Sequence, residues 1–138
     1  MSLYEYLDIL AQGYERIDFL WNIFIAVHLA IVGGIILINR RIGILERAIA
    51  IIGYLSFLFV NYRSVVDGYA YQSILLDEIA KLGTPGRAGT DLLTYLANYD
   101  LPGRIAFLDY AYIAAAVLTT LAILAANVLS RGRRGDEF

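Results

Sequence analysis

Cysteine is absent from the 138-residue chain, and histidine occurs once, at position 28. The first absence excludes a disulfide framework, a thiolate metal centre and a cysteine nucleophile. The second excludes any site that needs two imidazoles from one chain. Charge is scarce too: Asp, Glu, Lys and Arg make up 17% of residues against 59% hydrophobic, where a globular domain averages roughly 25% and 45–50%. The net charge of −2 leaves no electrostatic footprint for nucleic acid. No Walker loop, dinucleotide fingerprint, GxSxG elbow, HExxH or clustered metal-ligand spacing occurs. The first ten residues, MSLYEYLDIL, lack the basic n-region of a secretory signal, so the mature chain is read as starting at Met1.

What the chain has instead is long uncharged runs. Phe19 to Ile38 gives 20 such residues, enough at about 1.5 Å each to cross roughly 30 Å of hydrocarbon. Ala48 to Tyr62 gives 15 and Tyr110 to Ser130 gives 21. The expected architecture is an all-α integral membrane protein forming a single membrane domain. Its transmembrane helices are placed at 18–39, 43–66 and 105–130, with a basic tail at 131–138. Residues 1–17 place Leu3, Tyr4, Leu7 and Leu10 on one face, predicting an amphipathic helix in the plane of the interface. Residues 64–104 are too long for a plain connector and are predicted to be helical. In the first part, Val66, Tyr69, Ala70, Ile74, Ile79 and Leu82 follow helical spacing, so the second span is expected to continue outward to 82. Gly83 then ends it, Thr90 caps a further helix with Asp91 in its first turn, and the PGR tripeptides at 85–87 and 102–104 read as turns.

Cations set the orientation. Arg40, Arg41, Arg47, Arg131, Arg133 and Arg134 are packed into two short segments, while ten of the thirteen acids lie on the other side of the membrane. The positive-inside rule then puts the N-terminus outside and the C-terminus in the cytoplasm, as expected for a plasma or bacterial inner membrane. Most of the eleven tyrosines, with Trp21, fall on the outer half, the pattern of an aromatic interface belt.

Ionisable residues near a span are the first places to seek function. Glu15, Asp18 and Asn22 share a face of the first helix, Ser56, Arg63 and Asp67 a face of the second, and Asp109, Tyr112, Ala116, Thr119 or Thr120, and Asn127 a stripe along the third. Two readings stand. Either the stripes face one another, pairing Arg63 with Asp109 or Asp18 and leaving a carboxylate for an ion or solute, or the charges sit in the headgroup layer and hold the helices in register. His28 is flanked by Phe24, Ile25, Ile31 and Val32 and reads as a neutral structural side chain; as a haem ligand it would need a second His28 from another subunit. Ala26, Ala30 and Gly34, Ala111 with Ala115, and Ala122 with Ala126 form small-residue seams for helix packing or assembly.

The expected function is therefore that of a non-enzymatic membrane subunit. It assembles with itself or as an accessory or scaffold component of a larger membrane complex, with bound lipid and no dedicated cofactor. The alternative is a homo-oligomeric conduit for an ion or small solute, lined by Tyr112, Thr119, Thr120 and Asn127 with an acidic outer mouth at Asp109. A reporter fused after Phe138 is expected to be active only on the cytoplasmic side; activity confined to the opposite side would reverse the orientation.

Overall fold

The computed structural model describes residues 2–37, 42–82 and 100–132, with side chains through 126 in the last stretch. Three helices make up the described chain: α1, Leu3–Leu37; α2, Ile44–Leu82; and α3, Leu101–Gly132. Each is long and apolar enough to cross a membrane. At about 1.5 Å per residue they run to roughly 50–60 Å, well beyond a ~30 Å hydrocarbon layer.

Local chemistry sets where each helix starts. At α1, the Ser2 amide donates to Glu5 Oε2 at 2.6 Å while the Glu5 amide donates to Ser2 Oγ at 3.3 Å, a reciprocal capping box. The Ser2 backbone donor holds the Glu5 carboxyl below the usual carboxylate range. At α2, Glu46 reaches back to the Gly43 amide at 2.9 Å. At α3, Asp100 accepts from the Gly103 amide at 3.0 Å. Pro102 is tolerated there because the first turn has no use for its missing amide proton. The tripeptide 102–104 is therefore the first turn of α3 and not the turn read from the sequence. A side chain at Gly103 would collide with the capping carboxylate of Asp100. The expected features at Gly83, 85–87, Thr90 and Asp91 lie outside the described residues.

Successive helices run antiparallel, and every pair is in contact. Each helix carries a run of buried and half-buried positions at alternating steps of three and four. On α1 they are Leu3, Tyr6, Leu10, Gly13, Ile17, Leu20, Phe24, Val27 and Ile31; on α2, Tyr54, Leu58, Asn61, Val65, Gly68, Gln72, Leu75 and Ile79; on α3, Leu101, Ile105, Leu108, Tyr112, Ala115, Thr119, Ala122 and Ala126. That spacing is the heptad seam of knobs-into-holes packing.

Two clusters fill the seam. Ile17, Phe24, Tyr54, Leu58, Val65, Leu108 and Tyr112 form one, where all three helices meet. Leu10, Leu75, Leu76 and Ile79 form the other, where α1 and α2 continue as a pair with Leu3, Tyr6, Ile9 and Tyr14 packed alongside. α2 thus reaches Leu82 as expected. The N-terminal segment departs from expectation: it is the first half of one continuous 35-residue α1, not a separate in-plane helix. The cause is that Leu10 is buried on the extension of α2, while Tyr4 is 81% exposed.

α1 and α2 pack tightly at Gly68, where an added Cβ would stand 3.0 and 3.2 Å from two carbons of Ile17. At Gly53 nothing lies within 4 Å of such an atom. Gly68→Leu is accordingly expected to cost about 1–3 kcal/mol of stability through overpacking, whereas Gly53→Ala should be neutral or stabilising by up to about 1 kcal/mol from helix propensity. Thermal unfolding of the two variants in detergent distinguishes them; an unchanged midpoint for Gly68→Leu would contradict the close contact.

Candidate functional site

Asn61 and Tyr54, two polar side chains of α2 that point into the seam, each build a junction touching all three helices. At the first, Asn61 donates from Nδ2 to the Leu20 carbonyl of α1 at 3.2 Å and accepts from the Tyr112 hydroxyl of α3. Asn61 and Tyr112 are both buried. At the second, seven residues along α2, Tyr54 Oη lies 2.8 Å from His28 Nε2 of α1 and donates to the Ala115 carbonyl of α3 at 2.8 Å. The buried Thr119 side chain interacts with the same phenol. His28 Nδ1 is 2.6 Å from the carbonyl of Phe24, one helical turn back.

Counting protons assigns the roles. A carbonyl only accepts, so a neutral His28 carries its proton on Nδ1 and presents Nε2 as an acceptor. Tyr54 then has one proton and two acceptors, His28 Nε2 and the Ala115 oxygen. Both ring nitrogens of His28 are engaged, so a metal ligated at Nε2 would have to displace Tyr54. The aromatic surroundings complete the packing: Phe24 sits 4.2 Å from the His28 ring and 4.6 Å from Tyr112, with Trp21 5.4 Å from Phe24.

Charged groups lie at the end of the bundle where α3 begins. Asp109 Oδ1 accepts from Tyr62 Oη at 2.6 Å. Arg63 meets Asp67 of its own helix at 3.9 Å, both side chains being more than half exposed, so its partner is neither Asp109 nor Asp18. The Arg104 guanidinium lies 5.9 Å from the centre of the Tyr69 ring, inside cation–π range. At the opposite end Arg47 ties α2 to α3, donating to the Leu124 carbonyl at 3.1 Å and to the Ile42 carbonyl at 3.2 Å.

The remaining residues singled out from the sequence divide cleanly. Glu15, Asp18, Asn22, Ser56, Arg63 and Asp67 are exposed, so the stripes on α1 and α2 face outward instead of toward each other. Tyr112 and Thr119 are buried in the bundle, and Thr120 is half-buried. The side chain of Asn127 lies outside the described residues. Ala115 packs against the main core and Ala126 is buried, with Ala111 and Ala122 half-buried, so the α3 seams serve internal contacts. Ala26 and Ala30 are exposed, and nothing lies within 4 Å of a Cβ built at Gly34. Asn61, Tyr54 and Tyr62 escaped the sequence reading. Their signal was a polar group at 54, 61 and 62 inside an otherwise apolar run, where an amide facing lipid would be expensive. No group of three His, Cys, Asp or Glu capable of holding a metal occurs among the described residues.

These features define an all-α integral membrane protein whose three helices are pinned by buried hydrogen bonds. Compared with known proteins, the chain matches no family model, no curated protein and no solved structure.

The junctions and the surface pair make opposite stability predictions. Asn61→Leu strands the Tyr112 hydroxyl in the core and should cost about 1–3 kcal/mol, with Tyr54→Phe in the same range. Arg63→Ala should change stability by less than about 1 kcal/mol, because the pair it breaks is solvent-exposed. Unfolding in detergent micelles checks the ranking; a larger loss for Arg63→Ala than for Asn61→Leu would invert it.

Proposed function

We propose that the chain is a non-enzymatic integral membrane subunit that assembles with itself or as an accessory or scaffold component of a larger membrane complex. The observation that carries this reading is the burial of Tyr112 and Thr119 against the chain's own helices. A conduit made of several copies would turn that stripe toward a shared axis, where it would meet water or ions. Here it is consumed by Asn61 and Tyr54.

The outward surface supports the same reading. Leu29, Leu37, Ile44, Leu45, Phe59 and Leu118 are among the residues more than 60% exposed, as suits a surface bathed in acyl chains. Among them Ala26 and Ala30 present a smooth strip on α1 that is exposed among the described residues. Helices associate in lipid chiefly by close backbone contact at small residues, so this strip is the surface best suited to a neighbouring transmembrane helix. The cation-rich ends of the spans would face the cytoplasm in the assembled state.

Native mass spectrometry of the protein extracted in mild detergent tests the proposal. A discrete homo-oligomer, or copurification with a larger complex, is expected, and Ala30→Phe should release the monomer without lowering its thermal stability. A protein that is monomeric at every concentration and in every mild detergent would overturn it.

A further inference from the structure

Between α2 and α3 a groove of about 380 Å³ opens outward from the bundle. Its walls are Leu55 and Phe59 on one side and Ile113 and Ala116 on the other, with Tyr62 and Asp109 at one end. Leu55, Phe59 and Ile113 are 43%, 68% and 63% exposed, so the groove faces lipid. From Tyr62 to Leu55 it extends seven residues, about 10 Å of apolar wall.

Among the described residues, the carboxylate at its head has one hydrogen-bond donor and no cation. Asp109 Oδ1 receives the Tyr62 hydroxyl, and the nearby Arg63 is directed at Asp67. A carboxylate beside hydrocarbon favours any ligand that brings it a positive donor. A bare inorganic cation would satisfy the charge but would leave the 10 Å wall unused. A partner's helix is the poorer occupant, because the large exposed side chains at the rim, Leu55, Phe59 and Ile113, prevent the close backbone approach that helix packing in lipid needs. A flexible acyl chain does fit.

We infer that this groove is a binding site for a membrane lipid carrying a primary ammonium headgroup, an aminophospholipid, with an acyl chain along Leu55, Phe59, Ile113 and Ala116 and the ammonium on Asp109. A primary ammonium offers three N–H donors to the carboxylate, whereas a quaternary choline head offers none. Selectivity between the two therefore comes from Asp109, and affinity for either from the apolar wall.

The probes are phosphatidylethanolamine and phosphatidylcholine of identical chains, offered in equal amounts to the full-length, delipidated protein and read as retained lipid by native mass spectrometry. About tenfold preference for phosphatidylethanolamine is expected, the equivalent of about 1.4 kcal/mol. Asp109→Asn should bring the ratio close to one, and Ala116→Phe should reduce retention of both lipids by filling the groove. A measurement on the unaltered protein guards against variants that fail to fold. Trp21, the single tryptophan, lies 6.0 Å from the ring of Tyr112, which lines the groove. Its fluorescence should change saturably at lower concentrations of short-chain phosphatidylethanolamine than of short-chain phosphatidylcholine. Equal retention of the two lipids, a preference that survives Asp109→Asn in a folded variant, or identical fluorescence titrations would overturn the assignment. So would equal retention accompanied by Asp109→Asn splitting a protein assembly, which would give the carboxylate to a partner's cation instead.

Discussion

A side-chain amide buried where water cannot reach has to find its partners inside the protein, and Asn61 finds them on two different helices. Its donor goes to the Leu20 carbonyl and its acceptor takes the Tyr112 hydroxyl, so α1 and α3 cannot slide along α2 without stranding polar atoms. Hydrogen bonds between membrane helices contribute only about 0.6 kcal/mol on average, but an unsatisfied polar group in hydrocarbon costs several. The asymmetry makes Asn61 a device for register more than for net stability, as a polar residue in a coiled-coil seam is. Tyr54 repeats it one heptad away with His28 and the Ala115 carbonyl, and Arg47, a heptad further, reaches the Leu124 carbonyl. One face of α2 thus supplies the ties at three successive levels.

With register set this way, the apolar contacts follow. Val65, Leu108 and Ile79 are almost wholly enclosed, and Gly68 lets α1 come close enough for Ile17 to be buried. At the levels of Tyr54 and Asn61 the polar groups of the seam are engaged by the bundle's own helices, while the outward faces are dominated by Leu, Ile, Phe and Val. That distribution inverts a pore, which keeps its polar groups for the permeating species. The polar atoms of Asn61, Tyr54 and Tyr112 already hold the helices together, so the outward surfaces are what the bundle offers to lipid or a partner.

The three spans were legible because length without charge is a direct consequence of the solvent they cross. The extension of α2 to Leu82 was legible from helical spacing, but the spacing alone did not say which face is buried. Ile74 and Leu82, two of the residues that carried that spacing, are 59% and 48% exposed, while Gln72 is fully buried. The true seam runs through Tyr54, Asn61, Gly68 and Gln72, residues that a search for apolar periodicity passes over. The same blindness favoured the conspicuous stripe of Ser56, Arg63 and Asp67, all exposed. On α1, Leu3, Tyr4 and Leu7 suggested a helix lying flat because a single helix considered alone has only lipid to bury against; the extension of α2 offered Leu10 a better partner. What could not be read from spacing was which polar residues meet across helices, since that depends on rotations fixed only when all three pack together.

Those pairings also decide the electrostatics at the end where α3 begins. Had Arg63 turned to Asp109, the bundle would have neutralised its own carboxylate, and the groove beside it would be an ordinary lipid-facing furrow. Arg63 instead projects outward from α2 and meets Asp67 one turn along, while Asp109 is held by the Tyr62 hydroxyl, which orients the carboxylate but adds no positive charge. Tyr62 neighbours Asn61, so the same anchoring that fixes the register of α2 also places the phenol against Asp109. The consequence is a negative group at the head of an apolar groove, held in position by the seam and paired with no cation among the described residues.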